Sequence, residues 1–303
     1  MQTVAVSGAS GLIGGALCAA LAESGLTVRR LRRGATASGT DVAWDPVAGT
    51  IDAEALEGVD AVVHLAGEGI GEKKWSEEQK RKILESRTKG TGLLAGALAA
   101  LDHKPDVFVS ASAIGYYGNR GAEELTEESP AGSDFLAEVC TQWEAAAAPA
   151  AAAGIRTVLV RTGIVLSPAG GALKRMVTPF KLGVGGRIGS GEQYMSWISL
   201  GDEVRAVEHI LQEASLSGPV NLTAPHPVTN AEFTKTLGAV LGRPTVLPTP
   251  LFPLKAVYGA ELVEHLLLDS QRVLPARLLA SGFEFRHPTL EAALRAVLGR
   301  PAA

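Results

Sequence analysis

Residues 3–25, TVAVSGASGLIGGALCAALAESG, decide the fold. The β-branched run Thr3 to Ser7 is a strand, and the Ala/Leu-rich stretch Ala16 to Ser24 is a helix stopped by Gly25. Between them Gly8, Gly11 and Gly14 form G-x-x-G-x-x-G. Glycines at a strand-to-helix turn permit tight winding and close backbone approach, and a helix N-terminus offers free N–H groups and a positive dipole end to a pyrophosphate. Gly8, Ser10, Gly11, Leu12, Ile13 and Gly14 are therefore the candidate dinucleotide cradle.

Outward from this unit, β and α segments alternate. Leu26 to Leu31, Val42 to Trp44, Asp60 to Ala66, Val107 to Ser112 and Arg156 to Leu166 read as strands, with helices at about Ser76 to Ala100 and Ser133 to Ala153. Pro149 is expected to kink or shorten the second of these helices. Nearly all-apolar strands such as DAVVHLA belong to a parallel sheet buried on both faces. The expected fold is α/β, a Rossmann-like doubly wound parallel sheet with a smaller C-terminal substrate-capping lobe. The sheet domain takes residues 1–166 with a returning segment at about 197–225, and the lobe takes 167–196 and 226–303. Seven glycines between Gly170 and Gly191 predict a long irregular lid over the site. A C-terminal helix aligns Leu290, Ala293, Leu294, Val297 and Leu298 on one face.

The second strand ends in Val28-Arg29-Arg30-Leu31-Arg32-Arg33, with no Asp or Glu where one would hold a ribose 2′-hydroxyl. Guanidinium forks suit a 2′-phosphate, so Arg32 and Arg33 select NADP(H), while Arg29 and Arg30 are solvated or helix-packing charges.

At 303 residues, with 46% apolar and 20% charged residues, the chain buries a full core and is neither disordered nor fibrous. Its 28 basic and 32 acidic residues provide no bulk electrostatic drive toward nucleic acid or an anionic membrane, so a small-molecule substrate is the expected partner, with oligomeric state left open. Cys18 and Cys140 are too few for a disulfide framework and lack metal spacing; no metal site is expected, and a reducing, cytoplasmic location follows. No apolar run reaches the ~18 residues of a membrane span.

GASGLIGG at 8–15, DAVVHLAGE at 60–68, SASAIGYYG at 110–118, RTGIVL at 161–166, SWISLGD at 196–202 and GPVNLTAPHPVTNAEF at 218–233 resemble the extended short-chain dehydrogenase/reductases. GGALKRM at 170–176 and SQRVLPARLLASGF at 270–283 are similar to its atypical epimerase-family, or cell-division-inhibitor-like, branch, which carries a C-terminal domain of unknown function. The resemblance implies that His64, Leu65, Ala66 and Gly67 lie along the adenosine and ribose side of the cofactor; as a histidine ending a buried strand, His64 serves packing and hydrogen bonding rather than catalysis. Arg87 either faces cofactor phosphate or ribose, or sits on a solvated helix face.

Such enzymes take a substrate proton with a Tyr assisted by a Lys four residues later, beside a Ser or Thr. Ser112 fits the serine position, but the Y-x-x-x-K positions fall at about Leu136 and Cys140. Tyr116 and Tyr117 are the nearest phenols; with Ser112 they are the catalytic candidates. Glu68 either hydrogen-bonds the ribose or the loop or is a further acid/base candidate, Cys140 is a packing residue, and Lys73, Lys74 and Trp75 are either a closing segment or a solvated charge run. An NADP(H)-dependent oxidoreductase acting on a small carbonyl or hydroxyl compound is the leading function. A nucleotide-sugar epimerase or dehydratase, and a catalytically inactive NADP(H) sensor, are the alternatives.

Overall fold

Alternate residues of the strand Thr3–Ser7 (β1) enter different cores. Val4 and Val6 pack with Leu17, Leu21 and Ile210, whereas Ala5 packs on the other side with Leu94 and Leu98. Both faces of the sheet are therefore apolar and covered, and each buried valine contributes about 1.5–3 kcal/mol. The computed structural model describes residues 1–34 and 41–301.

In chain order the elements that build the site are β1, helix Leu12–Glu23 (α1), strands Thr27–Arg32 (β2), Val42–Asp45 (β3), Thr50–Ile51 (β4) and Ala61–His64 (β5), and helix Glu77–Ala100 (α2). Then follow strand Val107–Ala113 (β6), helix Phe135–Ala145 (α3), strand Arg156–Thr162 (β7), helices Gly171–Lys181 (α4) and Leu200–Gln212 (α5), strand Gly218–Leu222 (β8), and helices Asn230–Leu241 (α6) and Leu290–Val297 (α7). The eight strands form one sheet in the order β8-β7-β6-β5-β1-β2-β3-β4. Every pairing is parallel except that of β3 with β4. This is the doubly wound architecture the alternation predicts.

Several expected boundaries change. The run Arg156 to Leu166 is two strands: β7 stays in the sheet, and Ile164–Leu166 pairs instead with Trp197–Ser199. The helix expected over Ser133 to Ala153 divides into α3 and Ala148–Ala152, because Pro149 lacks an N–H and opens the second piece. Within the glycine-rich stretch, α4 is regular helix; Leu173, Val177 and Phe180 recur on one face and are buried.

The C-terminal lobe has its own core, where α4, α6 and α7 meet through Leu173, Phe233, Leu237, Leu290 and Leu294. The expected assignment of all of 226–303 to this lobe does not hold. Leu278 and Phe283 lie in the same apolar cluster as Val4 and Val6, and Asp202 accepts the backbone N–H groups of Arg286 and His287 at 2.9 Å each. Among the described residues no helix is long and apolar enough to cross a membrane.

Candidate active site

After β1 the chain crosses to β2 on one side, while β5 lies on the other, so a crevice opens beyond the paired ends Ser7 and His64. Gly8 turns there with φ of 67°, and a side-chain carbon on it would stand 2.8 Å from the Leu65 carbonyl carbon. One on Gly14 would stand 2.3 Å from the Gly8 oxygen. The turn closes through Gly11 N–H to Gly8 O at 2.8 Å, and Gly11 precedes α1 without a capping side chain. The amides of Leu12, Ile13 and Gly14 are thus left for a ligand, below the exposed Ser10 and Gly11.

His64 is sealed beneath this crevice, with Nδ1 2.6 Å from Ser7 Oγ and Trp44 edge-on to its ring. Burial lowers its pKa to about 4, so it is a neutral link between strand ends.

At the end of β2, Arg32 and Arg33 are exposed. Asp41 accepts Arg32 Nε at 3.1 Å. Asp41, at the foot of β3, thereby orients the Arg32 fork, a pairing that sequence distance hid. Arg29 donates to Ala55 O at 2.6 Å and Arg30 meets the Cys18 thiol, so neither is at the strand tip.

Leu65, Ala66 and Gly67 leave β5 along the crevice. Arg87 supports them from α2: Nη1 donates to Glu68 O and Ile83 O at 3.0 Å each, and the guanidinium lies 4.9 Å from the Trp143 ring. These contacts hold the guanidinium under the loop rather than on a solvated helix face, and burial lowers its pKa from the ordinary arginine value. Glu68 is half-exposed, near Lys73 at 3.9 Å, while Lys74 Nζ donates to Ala256 O at 2.7 Å.

Beyond β6 the candidate catalytic residues separate. Ser112 donates to Glu144 Oε1 at 2.7 Å, and Arg161 binds the same carboxylate through Nε at 2.8 Å and Nη2 at 2.9 Å. Tyr117 is fully buried; it donates to Asn221 Oδ1 at 2.7 Å and accepts from Arg161 at 3.0 Å. Burial pushes its pKa up to about 12. Tyr117 is therefore a structural phenol, contrary to the expectation of proton transfer, and the Ser112 proton is already engaged. Tyr116 is different: its ring is half-buried under the Arg161 guanidinium at 3.4 Å, and its hydroxyl has no hydrogen bond among the described residues. At the vacant Tyr and Lys positions, Leu136 and Cys140 pack beneath Gly115, and burial pushes the Cys140 thiol up to about 12. Cys140 is packing, as expected.

The model of the NAD dependent epimerase/dehydratase family matches residues 4–222, and a domain of unknown function, DUF1731, matches 249–297. The chain belongs to the NAD dependent epimerase/dehydratase family. An epimerase family protein of Mycobacterium tuberculosis is 47% identical over 298 residues, covering 98% of each chain. A crystal structure of human epimerase family protein SDR39U1 with NADPH superposes with a TM-score of 0.89 at 37% identity, covering 98% of this chain and 99% of that one. A structure described as the nucleoside-diphosphate sugar epimerase from Corynebacterium glutamicum gives 0.82 at 39% identity, covering 98% of this chain but 58% of that one.

In this epimerase/dehydratase chain the DUF1731 segment adds side chains that the motif reading missed. The helical turns Ala260–Val263 and Glu264–Leu268, the second wound as a π-helix, lie against the loop after β5. Trp75 stacks on His265, with ring centroids 6.1 Å apart and planes at 12°, and meets Phe135 edge-on at 5.2 Å. Lys80 pairs with Glu261 at 2.5 Å. Lys73 is mostly exposed, but Lys74 and Trp75 fasten the two parts together. No sequence spacing connects residue 75 with 265, so only the folded chain reveals this wall.

Proposed function

We propose that the chain is an NADP(H)-dependent reductase acting on a small carbonyl compound held between the end of β6 and the C-terminal segment. The observation that carries this reading is the cradle of Gly8 and Gly14, whose close approaches leave room for backbone only, in line with the Arg32 fork set by Asp41. A pyrophosphate fits the amides of Leu12 to Gly14, and a 2′-phosphate fits Arg32 and Arg33. Leu65, Ala66 and Gly67 flank the adenosine and ribose, with Arg87 behind them. The NADPH in the human SDR39U1 crystal structure supports the same choice. Bound NADPH supplies the reducing electrons; the protein must orient the carbonyl and deliver a proton. Tyr116, the candidate with an unengaged hydroxyl, hydrogen-bonds the carbonyl oxygen, while the Ser112–Glu144–Arg161 network fixes the loop that carries it.

A second reading, nucleotide-sugar epimerase, is favoured by the description of the Corynebacterium protein. Leu136 and Cys140 weigh against it, since neither can cycle a proton as a tyrosine beside a lysine does. Calorimetry with NADPH, followed by a turnover screen of ketones and aldehydes at the nicotinamide absorbance, tests the first reading. Net NADPH consumption supports it. Interconversion of UDP-sugars with no net cofactor change supports the second, and tight NADPH binding with neither reaction supports a sensor.

A further inference from the structure

His265 has an environment unlike that of the other buried or bonded histidines. His64 is sealed, His209 is tied to Ser281, and His287 is tied to Ser199. His265 Nδ1 lies 2.9 Å from Asp269 Oδ2, its side chain is 23% exposed, and its Nε2 makes no hydrogen bond among the described residues. A carboxylate on Nδ1 fixes ring orientation and leaves Nε2 as the working nitrogen.

Position gives this dyad its meaning. The imidazole stacks on Trp75, Trp75 meets Phe135, and Phe135 precedes Leu136, where a tyrosine would stand. Asp134, the N-cap of α3, brings a second carboxylate; its oxygen, a His265 nitrogen and an Asp269 oxygen lie within 4.8 Å of one another. Leu266, next to His265, reaches Gly71 in the loop after β5. The C-terminal segment therefore places an oriented imidazole one aromatic ring away from Phe135, the residue before the vacant tyrosine position.

We propose that His265, oriented by Asp269 and seated against Trp75, is the proton donor to the substrate carbonyl. This rests on the reductase reading above. As the carbonyl carbon accepts hydride from NADPH, the C=O π pair moves to oxygen and takes the proton from Nε2. NADP⁺ and a neutral imidazole remain, and water reprotonates the ring. Asp269 stabilises the imidazolium before transfer, and Tyr116 holds the oxygen by hydrogen bonding.

The test uses the full chain and its His265→Gln and Asp269→Asn variants, with isatin heading a panel of activated ketones and aldehydes. NADPH affinity is read from nicotinamide fluorescence. Carbethoxylation of His265 by diethyl pyrocarbonate is read by peptide mass spectrometry. The expected result is a kcat loss of about 10²–10⁴-fold for His265→Gln, a smaller loss for Asp269→Asn, and unchanged NADPH affinity. In the unmutated protein, NADP⁺ with a turned-over ketone should slow modification of His265, a readout that does not depend on folding of a variant. Full kcat in both variants, or modification indifferent to the ligands, overturns the assignment. Stoichiometric Zn²⁺ or Mn²⁺ binding that His265→Gln abolishes also overturns it, in favour of a metal centre. An unmutated protein that binds NADPH yet reduces nothing in the panel fails the reductase reading itself, and the assignment falls with it.

Discussion

Arg161 and Glu144 form a two-point ion pair, 2.8 and 2.9 Å long, at the end of the sheet, with side chains only 3% and 10% exposed. Burial opposes the charge on Arg161, but the Glu144 carboxylate and the Tyr117 phenol outweigh it and hold the guanidinium above its ordinary range. Removing one partner leaves a buried charge unpaired. Glu144→Ala should therefore cost about 3–5 kcal/mol in urea unfolding, and Arg161→Met added to it should recover part of the loss. A Glu144→Ala protein as stable as the parent would show the pair to be idle.

Tyr116 and Tyr117 should separate cleanly. Tyr117→Phe leaves Asn221 Oδ1 and Arg161 each short of a partner, so stability should drop by about 1–3 kcal/mol. Tyr116→Phe loses a hydroxyl with no hydrogen-bond partner among the described residues, so stability should hold while carbonyl reduction falls by about 10²–10³-fold, the scale of a lost oxyanion donor. Unfolding curves and steady-state kinetics on the two variants decide it.

The glycines of the cradle make a paired prediction. Gly14→Ala drives a methyl carbon into the Gly8 oxygen and should abolish NADPH binding by calorimetry. Gly15→Ala meets its nearest atom at 3.6 Å inside α1, so it should keep binding and gain about 0.4–1 kcal/mol of stability.

Cofactor choice should follow the β2 arginines. NADPH should bind more tightly than NADH, and Arg32→Ala with Arg33→Ala should reduce NADPH affinity by about 10–100-fold, leaving NADH nearly unchanged. Equal affinities in the unmutated protein would sink the assignment.

Glu203 predicts a pH signature. It is fully buried, accepts from Thr162 at 2.9 Å through Oε1, and has no partner for Oε2 among the described residues. Burial raises its pKa from 4.5 to about 8. The folded protein keeps this proton while the unfolded chain releases it, so its share of stability is full below pH 4.5 and is lost as pH rises toward about 8. Glu203→Gln keeps an acceptor for Thr162 and removes the loss. The variant's advantage in unfolding free energy should grow by about 1.4 kcal/mol per pH unit across that window, and parallel pH curves would refute this.

The sequence by itself determined the sheet, the glycine cradle and the arginine tip of β2. Each depends on residues close in the chain: nearly continuous apolar strands, helix-forming stretches between them, and a glycine turn whose spacing is local. The lost tyrosine and lysine were legible for the same reason, since Leu136 and Cys140 lie on one helix. Tertiary structure alone decided which phenol is free, because the burial of Tyr117 depends on Asn221 and Arg161 in other strands. It alone brought Asp41 to Arg32 and set His265 on Trp75. These contacts join segments whose own patterns carry no mark of one another, and they exist because apolar burial brings the C-terminal segment back over the sheet, where Leu278 and Phe283 enter its core.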